Sequence, residues 1–432
     1  MIKHLFSDMD GTVLNSNGQM SEFTIKTIKE SGLPFTLVSA RSPQKMEEII
    51  NNLGIDGIHV AFNGGVIFEK NNKKNIYFCY MISLAFVTSN KRLLLFIVLN
   101  LFISLGSMSK PSIDTLTVLV TCPKLDYDGD YPVIVSLKDY PSVTRSIVYS
   151  DNTELPSQLD DLDGDGINDE LCFFANVKKK QKYSFQVILE KGGEPKRYSP
   201  HTYAELLLKN PKVKEKNKQD LFIQQIVVGK DLDDSFHLLH HHGVAFENEL
   251  IALRIYFDKR QTLDLYGKKR KGLEIKDTQF YPNKQQLLDG YGDDILWAGN
   301  ALGLGALRGW VECKEQLLDD VEYRGQRIVC QGPIRTIVEV TDKGWLWRKG
   351  ENRINLKERF TLYAGRRDII IEAWLNPLND SIRFFTGLQH LLNGKEYSNH
   401  EGLRGNWGKS CNPTDSIMAH AQTLGMGIFV SD

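Results

Sequence analysis

The sequence predicts a mostly β protein, built as a large antiparallel sandwich and preceded by a partial α/β unit. Three observations carry that expectation. Beyond Lys110, runs of alternating apolar and polar residues are separated by Gly, Asn and Asp turns. Before residue 80, short apolar strands alternate with helical spacing, the order of a parallel sheet. Between the two, Leu93 to Leu105 are apolar apart from Asn100 and Ser104, so the chain changes character there.

Composition narrows the class. The 432 residues exceed one ordinary domain. With 41% hydrophobic and 25% charged residues, the chain is neither disordered nor fibrous. Lys and Arg number 53 against 54 Asp and Glu, which argues against nucleic acid or an anionic membrane as main partner. The six cysteines include no C-x-x-C pair and suggest neither a disulfide scaffold nor a zinc site.

The apolar stretch follows Lys91-Arg92 and precedes Gly106-Ser107-Met108-Ser109, the layout of a secretory signal peptide with Met81 as its start. It is shorter than the roughly 20 apolar residues of a stable membrane span. A buried core helix is the alternative. The expected organisation is therefore 1–80, a signal-like segment over 81–109, and 110–432. On that reading the last part is secreted or periplasmic if the segment is processed; otherwise the fused chain is cytoplasmic.

In the first part, Ile2 to Ser7 reads as a buried strand running into Asp8-Met9-Asp10-Gly11-Thr12. Two carboxylates at i and i+2 on a tight turn suit phosphoryl transfer, one attacking phosphorus and the other protonating the leaving oxygen, with Mg²⁺ screening charge. Helices with Ile25 and Ile28, and over Lys45 to Leu53, separate the strands Phe35–Val38 and His59–Phe62. The motifs DMDGTVL, VSARSP and AFNGGVIFE resemble the haloacid-dehalogenase superfamily, in its Cof-like sugar-phosphate phosphatase branch. The resemblance implies Asp8 as nucleophile, Asp10 as general acid/base, both near Mg²⁺, with Ser39 on phosphate and Asn63 and Gly64 near substrate. It covers only about 78 residues, and the later Lys and second acidic pair of that family have no assigned counterpart, so this unit reads as a stub.

In the last part, alternation marks strands at Thr115–Val120, Tyr183–Leu189, Arg335–Val340 and Arg367–Trp374. Asp161, Asp163, Asp165 and Asp169 stand at positions 1, 3, 5 and 9 of a loop with Gly166 at 6, a spacing that wraps Ca²⁺. Cys172 replaces the usual Glu at position 12, and an acidic turn without metal is the alternative. GDGIND also imitates a phosphatase motif, but a strand follows it.

The densest chemistry lies between 240 and 310. Removing a proton α to a uronate carboxylate needs a cation against the carboxylate, a base, and an acid for the leaving group. Alternation from 254 places Arg254, Tyr256, Asp258 and Arg260 on one face. Arg254 and Arg260 are the candidate cations, His241 or His242 the base, Tyr256 or Tyr291 the acid, with Asp293 added to the catalytic set. Trp297 and Arg308 are candidate substrate contacts, and Trp310 and Trp407 further sugar-stacking rings. Structural ion pairs are the competing reading of the arginines. Three consecutive His on a strand would alternate faces, which argues against zinc.

The strings LDDLDGDGINDEL, HHHGVAFENELIALRIYFDKRQTLDLYGKK, FYPNKQQLLDGYGDDILWAGNALGLGALRGW, QGPIRTIVE and TLYAGRRD resemble the carbohydrate-associated domain of unknown function numbered 4861. That resemblance implies a galactose-mutarotase-like supersandwich and an acidic, uronate-bearing oligosaccharide as partner, with a dehydratase or lyase acting by β-elimination. A non-catalytic glycan-binding module and a Mg²⁺-dependent phosphatase are the other expectations. The last residues, Ile428 to Asp432, read as mid-strand, so the expected sandwich stops short of its final strands.

Overall fold

The computed structural model describes residues 5–9, 13–14, 20–32, 35–39, 43–54, 58–61, 66–69, 72–77, 83–84, 100–101, 113–121, 129–178, 181–210, 220–232, 234–296, 298–377, 382–410 and 422–430. The chain divides into two compact units, Met1–Met81 and Ile82–Asp432. Most of the signal-like segment lies outside the described residues. Among the described residues, no helix is long and apolar enough to cross a membrane.

In the first unit, the strands Leu5–Asp8, Phe35–Val38 and Ile58–Ala61 are parallel, and Val66–Glu69 and Asn72–Tyr77 extend the sheet antiparallel. The helix Glu22–Glu30 starts where the Ser21 hydroxyl accepts the Thr24 N–H at 3.1 Å. The helix Pro43–Leu53 begins with Pro, whose fixed φ suits a first turn. Met46, Ile50 and Leu53, spaced four and three apart, bury one stripe of it against Met9, Phe35 and Leu37.

Four antiparallel sheets form the main layers of the second unit, beside three smaller ones of two or three strands among the described residues. The outer small sheet holds Thr153–Leu155, Val143–Ser150, Lys182–Lys191, Ile113–Thr121 and Asn100–Leu101. The inner small sheet holds Ser157–Asp160, Glu170–Val177 and Gly129–Ser136. The inner large sheet runs through Gln225–Gly229, Tyr323–Cys330, Arg335–Trp345, Ile354–Tyr363, Ile369–Asn376 and Ser83–Leu84. The outer large sheet holds Thr202–Glu205, Gly243–Asn248, Ile251–Tyr256, Leu263–Gly267 and Asp293–Asp294.

Period-two alternation explains each layer. Leu171, Phe173 and Ala175 face the outer small sheet's Leu116, Val118 and Val187. Cys172 and Phe174, on the opposite face of the same strand, meet Ile334, Tyr363 and Ile370 of the inner large sheet. The large core lies between Val338, Val340, Phe360 and Leu362 on one sheet and Val244, Phe246, Leu253 and Ile255 on the other. The strand expected from Arg367 starts at Ile369, because Arg366 turns back to pair with Asp368 at 2.9 Å.

The seam between the sandwiches is polar as well as apolar. Arg335 reaches Asp160 through Nε at 2.8 Å and Glu170 through Nη2 at 2.7 Å, while Gln158 Oε1 accepts the Ile334 N–H at 3.0 Å. Arg335 and Asp160 are buried. Removing one partner of such a pair leaves uncompensated charge in low dielectric. Arg335→Ala is therefore expected to destabilise the second unit by about 3 kcal/mol, read as a lower urea midpoint in tryptophan fluorescence; an unchanged midpoint would refute the role given to this pair.

Candidate functional site

The outer face of the outer large sheet, turned away from the core, carries Arg254, Tyr256, Asp264 and Tyr266, all buried beneath the segment 268–294 and the turn before Gly243. Arg254 and Asp264 are Cα partners on adjacent strands. Arg254 bonds Asp264 Oδ2 through Nε at 2.9 Å and Nη2 at 2.6 Å, Asp294 Oδ2 at 2.9 Å, and the Tyr281 hydroxyl at 2.5 Å. Its guanidinium carbon lies 4.5 Å from the Phe280 ring centroid. Its fork is thus committed within the protein, the arrangement of a structural ion pair. Tyr256 donates to the same Asp264 oxygen at 3.0 Å, and burial raises its phenol pKa. Burial, then the neighbouring Asp264 carboxylate, pushes the Asp294 carboxyl well above the usual range.

The histidines depart from the expected strand. The strand begins only at Gly243, and His240 to His242 lie in the turn before it. A Cβ on Gly243 would stand 1.7 Å from the Ile255 carbonyl oxygen, so only glycine admits this close approach. His241 is fully buried, its Nε2 2.5 Å from Glu205 Oε1, which removes it from solvent. His242 is half-buried. Its Nδ1–H donates to the Phe236 carbonyl at 3.1 Å and its ring stacks on Phe236 at 3.9 Å. Burial, reinforced by the charge of Arg254, holds the His242 pKa down to about 4. The imidazole is then neutral at pH 7, and Nε2 keeps its lone pair. Among the described residues no set of histidines converges as a metal site.

Asp258 and Arg260 were expected on the strand with Arg254. The strand ends at Tyr256, and both residues sit in the following turn. There they pair with each other, Nε to Oδ2 at 2.7 Å, and Arg260 lies 4.7 Å from the Phe236 centroid and 5.1 Å from that of Tyr256. His242, Phe236, Tyr256, Arg260, Arg254 and Tyr281 therefore form one continuous patch. Tyr281, 45% exposed, brings its hydroxyl to the edge of that patch.

Other candidates are placed apart. The Tyr291 hydroxyl donates to Asp277 at 3.3 Å under the Arg270 guanidinium, and Asp293 is half-buried beside Gly267. Arg308 is buried, bonding Glu315 at 2.9 Å and Thr262 at 3.3 Å, and so is withdrawn from solvent contact with a substrate. Trp297, Asp10, Asn63 and Gly64 lie outside the described residues. Asp8 ends the first strand with Val38 as its parallel partner, so Asp8 and the buried Ser39 share the carboxyl edge of that sheet.

In the acidic loop, ligand oxygens of Asp161, Asp163 and Asp169 lie within 4.8 Å of one another. Asp165 is outside that group and accepts the Ile167 N–H at 2.7 Å. Asp161 accepts Gly164 and Gly166 N–H at 2.7 and 2.8 Å, and Asp169 accepts Leu162 N–H at 2.6 Å.

Asp264, Asp294, Phe236 and Tyr281 escaped the sequence reading. Only Asp264 left a trace there, as a charge at a strand position that apolar Leu263 and Leu265 flank.

The comparisons with known proteins match two separate segments of the chain. A model described as a haloacid dehalogenase-like hydrolase matches residues 5–94. A putative phosphatase of Haemophilus influenzae (strain ATCC 51907 / DSM 11121 / KW20 / Rd) is 38% identical over 74 residues, which are 16% of this chain and 28% of the relative. A crystal structure of a haloacid dehalogenase-like hydrolase from Bacteroides thetaiotaomicron is 29% identical, covering 18% of this chain and 31% of that one, with a TM-score of 0.17. The chain thus spans less than two thirds of either relative's length. The N-terminal segment is haloacid-dehalogenase-like, and the larger part has its own match: a model described as a domain of unknown function covers residues 129–432. By that larger match, the chain belongs to the DUF4861 family.

Proposed function

We propose that the second unit is a carbohydrate-directed enzyme that acts on uronate-bearing oligosaccharides by β-elimination at the His242 patch. The observation that carries this reading is the geometry of His242: Nδ1 is engaged by the Phe236 carbonyl and the ring is stacked on Phe236 and edge-on to Tyr256, which turns Nε2 to the role of base. His242 Nε2 takes the proton α to the carboxylate. Electron density moves into the carboxylate beside Arg260, and the group on the next carbon leaves with a proton from the Tyr281 phenol. Arg254 holds Tyr281 and Tyr256 in place rather than binding substrate. Partner and localisation follow the same proposal, an acidic oligosaccharide met outside the cytoplasm.

His242→Ala is expected to lower kcat by about 100-fold, followed as ultraviolet absorbance of the unsaturated uronate. In the wild type, kcat/KM should fall on the acid side through about pH 4, because protonating the base removes its lone pair. Full activity in His242→Ala, or no unsaturated product from any acidic glycan, would sink the mechanism.

We also propose that the acidic loop takes Ca²⁺ through Asp161, Asp163 and Asp169, whose convergent oxygens suit a hard cation. Binding to the native state alone stabilises it by mass action. Calcium should raise the melting temperature of the chain, and Asp163→Ala should abolish the shift; equal melting in calcium and chelator would refute the site.

A second reading belongs to the N-terminal segment and is favoured by its haloacid-dehalogenase-like match. We propose that Asp8 and Asp10 would hold Mg²⁺, which would supply charge screening for a phosphoryl group, but that this stub does not turn over. The expected result is no phosphate release from sugar phosphates with Mg²⁺. Release that vanishes in Asp8→Asn would overturn the stub assignment.

A further inference from the structure

The inner large sheet has a second face, turned away from the large core, and the small sandwich covers only one end of it. Across that face runs a single transverse row. Gln225, Arg327, Glu339, Arg359 and Glu372 are successive Cα partners on five neighbouring strands. In the next row stand Gly325, Thr341, Lys357 and Trp374. Where the small sandwich stops, its loops and these rows enclose a cleft of about 790 Å³, within the roughly 300–1,000 Å³ of small-molecule sites.

The chemistry of the floor is uneven. Glu339 is buried and accepts from Arg327 Nε at 2.7 Å and from Arg359 Nε and Nη2 at 2.8 and 2.6 Å. Burial alone would raise its pKa, but the two guanidinium groups hold it below the usual range, so it stays ionised. The Lys357 ammonium stands 3.6 Å from the same carboxylate and 4.5 Å from the Trp374 ring centroid. Three cations thus share one carboxylate. Lys357 makes no hydrogen bond among the described residues, and Trp374 is 41% exposed beside it.

The facing wall has the opposite character. It presents Asp163, Asp169 and Asn168 of the acidic loop, with Ser136 and Lys138 from the small sandwich. The floor disfavours a cation. A ring carrying one carboxylate and several hydroxyls suits the cleft, because its charge matches Lys357 and Arg359 and its hydroxyls can bond Ser136 and Asn168, whether or not Asp163 and Asp169 hold Ca²⁺.

We propose that this cleft is a binding subsite for a uronate ring, with its carboxylate on Lys357 and Arg359. The subsite lies on the opposite side of the large sandwich from the His242 patch, separated by two sheets about 10 Å apart. It therefore holds a neighbouring part of a polymer or a second chain, not the reacting ring. The inference rests on the acidic-glycan reading above and adds a second place where such a glycan is held.

The test is calorimetric titration of the full chain with galacturonate and glucuronate trimers and with a neutral galactose trimer. Wild type should bind an acidic trimer and not the neutral one, with affinity falling as salt rises. Lys357→Gln, a change at a partly exposed side chain, should weaken binding about 10-fold; Arg359→Gln should do the same, with circular dichroism checking its fold. No binding of either acidic trimer, equal binding of the neutral one, or wild-type affinity in Lys357→Gln would overturn the subsite. Retained binding with no unsaturated product would instead count against the elimination at His242 and leave the subsite standing.

Discussion

One guanidinium fixes the geometry of the second unit. Arg335 leaves the inner large sheet and is met by Asp160 and Glu170 of the inner small sheet. Those two carboxylates are the residues on either side of the acidic loop, so the same contact that joins the sandwiches also sets where the loop stands. Taking these charges from water costs several kcal/mol per ion, and short paired contacts are what make their burial tolerable. Arg327 repeats the grip from the next strand, donating to the Leu162 carbonyl and to Asp163 O at 3.3 Å. The depth of the cleft follows from these contacts, because they hold the loop at the edge of the charged row.

The opposite side of the large sandwich uses the same device for another end. Arg254 is packed between Asp264 and Asp294, with aromatic rings closing over it. Burial first, and then the second carboxylate beside the same arginine, raise the Asp294 pKa. Burial first, and then the charge of Arg254, lowers the His242 pKa. Buried charge also enters the space between the large sheets, where Arg324 pairs with Asp342 at 2.9 Å and Glu358 is buried on the face of Phe360.

Much of this was legible in the chain because it is local. Period-two alternation marks Ile113–Thr121 and Lys182–Lys191, and helical spacing marks Pro43–Leu53. The acidic loop announces itself because its ligands are close in sequence. What stayed hidden depends on register. Glu339 meets Arg327 and Arg359 only through strand pairing, and Asp294 reaches Arg254 across forty residues. The end of the strand at Tyr256 was also illegible, since alternation continues through Asp258 and Arg260 while the backbone turns. The glycine after His242 does signal its special conformation, but not that the three histidines before it leave the sheet.

Cys172 sits in the seam that Arg335 fastens, on the face of its strand opposite the small core. Burial pushes its thiol pKa up to about 12, and burial with the nearby Asp160 raises that of Cys330 as well. Thiolates, not thiols, attack disulfides and metals. A protonated sulfur is a poor nucleophile, so these two thiols are held back from disulfide exchange where the sandwiches meet.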